Sequence, residues 1–95
     1  MSELAPFHGL HPVAASARCL RVSWSASLPR AARVRVRSHT CECLAVVHEL
    51  CEAGGLFFVR RTDRSSGTPE VTESNWTTMR EAQTLWLHIT NGLAR

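Results

Sequence analysis

The stretch that decides the fold is Cys43-Leu-Ala-Val-Val-His-Glu-Leu-Cys-Glu-Ala-Gly-Gly-Leu-Phe-Phe-Val-Arg60. Leu56 to Val59 is aromatic and β-branched and too short for a helix. Gly54-Gly55 before it is a two-residue hairpin signal, because a type I′ turn needs positive φ at both central positions. Pairing outward from that turn sets Ala53 opposite Leu56, Cys51 opposite Phe58, Leu50 opposite Val59 and Glu49 opposite Arg60. Apolar pairs near the turn and an ion pair beyond it are what cross-strand energetics favour. The first half also fits a helix through Leu44, Val47, Leu50 and Cys51 with Gly54 as its stop. The self-consistent register makes the strand the preferred reading of 43–52, with the helix left as the alternative.

Upstream of the hairpin, Leu20, Val22, Trp24 and Ala26 alternate with Arg21, Ser23 and Ser25, the period of a half-buried strand that Pro29 ends. Val34 and Val36 alternate with Arg33, Arg35 and Arg37, a second short strand. Downstream, Arg64 to Pro69 is a turn by composition and Glu70 to Glu73 a short edge strand. Thr78 and Glu81 form a capping box. Met79, Ala82, Leu85, Trp86 and Ile89 then recur at helical spacing up to Gly92, predicting an amphipathic helix over 79–91. The fold class expected is α+β: a small antiparallel β-meander packed by one C-terminal amphipathic helix. Residues 1–18, with Pro6, Gly9 and Pro12, read as an irregular N-terminal arm, and 19–95 as one small domain.

The chain has 95 residues, 44% of them hydrophobic and 20% charged, so it supports one core and is too apolar to be a disordered chain. No apolar run reaches the length of about 20 residues that crosses a bilayer, and no secretory signal is apparent. Four cysteines without a signal are expected to stay reduced, pointing to the cytoplasm. The net charge of +3 is uneven: residues 1–40 carry six Arg against Glu3, whereas 41–95 carry five Arg against seven acids. A thin core favours a homodimer or a protein partner.

From Cys43 onward, several short motifs follow one another: Cys43 with Val46 and Val47, Gly54-Gly55, Phe57 to Arg60, Ser66-Gly67, Val71 and Trp76. Trp24-Ser25 with Ser27 stands upstream. This order resembles the actinobacterial BldB-like family of small domains of unknown function. Members tend to show a Cys-Val-x-Val strand, a Gly-rich turn and a Val-x-Val-Arg-Asp-Ser strand. A Gly-Pro turn, a short strand and a Glu-Trp opening a C-terminal helix follow. Arg61-Thr62 stands where the family favours Asp-Ser, and the loop after Cys43 is longer. The resemblance covers roughly the C-terminal half. It implies a non-enzymatic regulatory accessory, often beside a helix-turn-helix DNA-binding regulator and self-associating.

The residues themselves offer three constellations. Trp76 and Trp86, with Arg60 and Arg61, are the candidates for protein contact, although Trp86 lies on the core stripe. Arg33, Arg35 and Arg37 on one strand face are the candidates for direct nucleic-acid binding, arginine being suited to phosphate. His39, Cys41, Cys43, His48 and Cys51 are zinc-ligand types within one short segment. On a strand, however, Cys43 and Cys51 lie about 26 Å apart, and no Cys-x-x-Cys knuckle is present. Buried, reduced cysteines are therefore the preferred reading, with no cofactor. No thiol, base and acid fall in a recognisable catalytic pattern, and Gly54-Gly55 lacks the Lys of a phosphate loop. The expectation is a non-enzymatic accessory acting through protein–protein contact, with nucleic-acid binding or a small zinc module as alternatives.

Overall fold

The computed structural model describes residues 8–27 and 33–95. The first seven residues of the arm, and Pro29, lie outside them. Five strands and one helix follow in chain order: β1 (Ser25–Ala26), β2 (Arg35–His39), β3 (Val46–Ala53), β4 (Leu56–Asp63), β5 (Glu70–Glu73) and α1 (Met79–Thr90). All pair antiparallel in one sheet of order β1-β5-β4-β3-β2. Strands β2 to β5 are thus a meander, and β1 adds to its far edge beside β5. The expected α+β fold is the fold observed.

The β3–β4 hairpin takes the register that the sequence implied, from Ala53 opposite Leu56 out to Val46 opposite Asp63. Gly54 and Gly55 have φ of 57° and 80°, the left-handed turn that residues with a Cβ rarely adopt. Within 43–52 the strand begins at Val46, where the sequence left helix open, while 43–45 belong to the turn before it; tertiary pairing decides between the two local patterns. Glu49 and Arg60, opposite one another, form an ion pair of 2.9 Å on partly buried side chains.

Alternation along the hairpin divides the core in two. On one face Leu50 and Val59 pack with Ala82, Trp86, Ile89 and Ala94, with Val22, Trp24, Phe57 and Leu85 around them. On the other face Cys51, Ala53 and Phe58 form a second cluster against Trp76. The Phe58 and Trp76 rings lie parallel, centroids 4.5 Å apart. Such stacking adds about 0.5–1.5 kcal/mol to the area buried. Helix α1 lies over β4 and β3 with Ala82, Trp86 and Ile89 of the expected stripe buried and Leu85 partly so, whereas Met79 at its start is 53% exposed.

Three local expectations change. The alternating stretch 20–26 enters the sheet only at Ser25 and Ala26. Residues 20–22 instead run beside the chain's last residues, with Leu20 N–H donating to the Leu93 carbonyl and Val22 N–H to that of Arg95. Alternation reports an extended chain and does not say what it pairs with. Second, the register of β2 shifts between Val36 and Ser38, so Arg37 sits in a bulge and the single arginine face is broken. Third, the capping box is half made. The Thr78 hydroxyl accepts from the Glu81 N–H, but the Glu81 carboxylate takes its hydrogen bond from the Thr77 hydroxyl.

A candidate metal centre

Residues 8–18 contain no helix or strand, yet they are pinned to the body. Val13 N–H donates to the Thr90 carbonyl and Ser16 N–H to that of Gly92, at the end of α1. Leu10 forms a bridge to Thr40, and its carbonyl accepts from Cys41 N–H at 2.7 Å. That bridge brings the arm alongside the loop that joins β2 to β3.

The loop itself is tightly built. Thr40 is fully buried, and its hydroxyl accepts from the His48 N–H at 3.0 Å. Leu44 N–H donates to the Cys41 carbonyl, closing a turn through Glu42 and Cys43. Arg64 donates to the Glu42 and Leu44 carbonyls at 2.6 and 2.7 Å, so one guanidinium clamps the turn from the far end of β4.

Four ligand-type side chains converge there: His8, His11, Cys41 and Cys43, whose donor atoms all lie within 4.8 Å of one another. The Cys41 and Cys43 sulfurs are 3.3 Å apart. Cys41 Sγ lies 3.5 Å from His8 Nδ1, and Cys43 Sγ lies 3.5 Å from His11 Nε2. Zinc bond lengths place tetrahedral ligand atoms about 3.3–3.8 Å apart, so small side-chain adjustments bring these donors around one ion. His8-x-x-His11 on the arm and Cys41-x-Cys43 on the loop each supply two donors.

Hydrogen bonding favours the ionised ligand. The backbone and thiol of Cys43, and then His8, pull the Cys41 thiol down to about 6. Cys43 is raised, chiefly by that same bond to Cys41, as expected when two thiols share one proton. Cys41 is buried, while Cys43 and both histidines are exposed, so an ion can reach the cluster from solvent.

Only two of the five metal-ligand residues singled out in the sequence belong here. The His39 ring faces its neighbour, the Thr40 carbonyl, at 2.9 Å. Cys51 is fully buried in the cluster of Phe58, and burial pushes its thiol up to about 11, an unreactive group. His48 packs against Trp24, ring centroids 5.9 Å apart, with both ring nitrogens buried and unpartnered among the described residues. Burial, then the charge of Arg61, holds His48 near 4 and hence neutral. The partners missed were His8 and His11, which lie 33 and 32 residues from the cysteines they meet. A search for short His and Cys pairs over the whole chain, instead of within one segment, would have found both.

The remaining site candidates disperse. Trp86 is core. Trp76 is half-buried on Phe58, its Nε1 donating to buried Glu73 at 2.9 Å. Arg60 is paired with Glu49, while Arg61 on the opposite face contacts Asp63 at 3.6 Å. Arg33 precedes β2, Arg35 is exposed at its start, and Arg37 pairs with Glu52 at 3.3 Å. Among the described residues no helix is long and apolar enough to cross a membrane.

What the site defines is a Cys2His2 ligand set on a small α+β domain. Comparison with protein-family models, curated proteins and solved structures returns no match.

Proposed function

We propose that this protein is a small zinc-binding module in which the ion fastens the N-terminal arm to the β2–β3 loop. The observation that carries this reading is the convergence of two thiols and two imidazoles, two donors from each segment, within 4.8 Å. Four protein ligands complete a tetrahedron and leave no position for substrate, the pattern of structural rather than catalytic zinc. The reading is therefore non-enzymatic. The ion neutralises the thiolate, and its binding energy becomes folding energy for a segment whose described residues, 8–18, hold no helix or strand.

The test is metal content by elemental mass spectrometry of protein purified without chelator. About one zinc per chain is expected, falling to near zero in Cys41→Ser/Cys43→Ser and in His8→Ala/His11→Ala. Unchanged metal in those variants, or none in the parent, would refute the site.

A second reading, contact with a partner protein, has its own support. Strand β2 closes one edge of the sheet, with all five residues exposed and no strand on its outer side among the described residues. Such an edge can accept a strand from a partner. This suits the regulatory accessory role, beside a DNA-binding regulator, that the BldB-like resemblance implies.

A further inference from the structure

On the helix-bearing side of the sheet, a cleft of about 480 Å³ is lined by Arg21, Val22, Trp24, Arg61 and Arg95. Residues 20–22 pair with residues 93–95, which brings Arg21 and Arg95 to the same cleft. Arg61 enters from β4, its guanidinium carbon 6.0 Å from the centroid of the Trp24 ring. Arg21 and Arg95 are exposed and have no ion-pair partner among the described residues. Arg61 contacts the Asp63 carboxylate at 3.6 Å, the one ion pair that the cleft's arginines make among the described residues. The neutral ring of His48 packs against Trp24, and Trp24 is the aromatic member of a lining made otherwise of Val22 and three arginines.

We infer that this cleft binds single-stranded nucleic acid, with one base on the Trp24 face and the flanking phosphates on Arg21, Arg61 and Arg95. An aromatic platform ringed by arginines is how proteins hold single strands without reading sequence. Planar guanidinium forks match phosphate oxygens and stack beside bases. A site for a free nucleotide would also hold the ribose hydroxyls or the base edge. Among the described residues no acidic, amide or hydroxyl side chain lines this cleft. The net charge of +3 favours approach of a polyanion. The site lies apart from the four metal ligands and stands or falls separately from the zinc reading.

The experiment is fluorescence anisotropy of a labelled oligouridylate of about ten nucleotides, a length suited to small single-strand binders. It is titrated with the intact protein across a salt series. Three phosphate contacts give a log–log salt slope of about −2, and Arg21→Ala should bring it to about −1.4. Arg21→Glu and Arg95→Glu are each expected to weaken binding at least tenfold, with metal content and melting unchanged. Arg33→Ala and Arg37→Ala, away from the cleft, are expected to leave it unchanged. Photocrosslinking to the parent should label the peptide that contains Trp24, a readout that does not depend on any variant folding. Absence of binding at about 50 mM salt, where such contacts are strong, would overturn the inference. Loss on changing Arg33 and Arg37 instead, or competition by uridine monophosphate at concentrations similar to the oligomer, would overturn it too.

Discussion

The β3–β4 hairpin and the N-terminal arm are held by different physics. The hairpin is an eight-pair ladder that carries a buried cluster on each face, one under α1 and one against Trp76. Its residues are fixed by neighbours across the strands, and Val47, Leu50, Cys51, Ala53, Phe58 and Val59 also by burial away from water. The described part of the arm, from residue 8, has one bridge to Thr40, a few hydrogen bonds to the end of α1, and the His/Cys cluster. Exposed segments with so few contacts open at low cost, whereas core strands open only with the whole domain. The hairpin is therefore the domain's stability, and the arm a part that needs an added cross-link to stay in place.

The strongest way to break the comparison is to strike the hairpin. Phe58, 1% exposed and stacked on Trp76, should cost about 3–5 kcal/mol as Phe58→Ala. Denaturant unfolding should show one cooperative transition shifted down, arm and sheet melting together. If only the arm loosened, the division drawn above would be false.

The joint between arm and helix is a smaller target. Gly92 has φ of 74°, and a Cβ there would meet the Ala14 carbonyl oxygen at 2.6 Å. Gly92→Ala is expected to cost about 1–3 kcal/mol through backbone strain and a contact that must shift. Hydrogen exchange should speed up at Val13 and Ser16, whose amides bond to the helix end, while β3 and β4 amides keep their order of protection. Equal loss everywhere would show that arm and body form one cooperative unit.

The smallest effect is a pH dependence in the body. His48 has its pKa held near 4 against an ordinary value of 6.5, so the unfolded chain binds a proton that the folded one does not between those values. Its contribution is therefore complete above pH 6.5 and falls away as pH drops towards 4. With allowance for its partial exposure, the loss should be about 1–2 kcal/mol. His48→Leu should flatten that slope in urea melts when compared with the parent at each pH. An unchanged difference between the two across the range would contradict a buried neutral imidazole.

How much was legible in the sequence follows the same line. The hairpin register and α1 could be read because their causes are local: a Gly-Gly turn, alternation of period two and an apolar stripe of helical period. The metal-ligand set was half legible. Cys41-x-Cys43 stands out, but its partners come from a segment with no periodicity, and the bridge between Leu10 and Thr40 that delivers them leaves no local trace. The Trp24 cleft was hidden for a similar reason. Its arginines come from positions 21, 61 and 95 and meet only because the stretch 20–22 pairs with the end of the chain instead of with a strand. The bulge at Arg37 likewise comes from register, which alternation of residue types does not encode.

The most direct test of the central claim is the electronic spectrum of the metal-free protein titrated with cobalt(II). A tetrahedral site of two sulfurs and two nitrogens gives intense visible bands and a thiolate charge-transfer band, whereas a six-coordinate surface site is nearly colourless. The expected result is saturation of both features at about one cobalt per chain. Zinc should then displace the cobalt, and both features should be absent from Cys41→Ser/Cys43→Ser. Weak octahedral bands, or a spectrum that survives loss of both cysteines, would contradict a zinc-fastened arm.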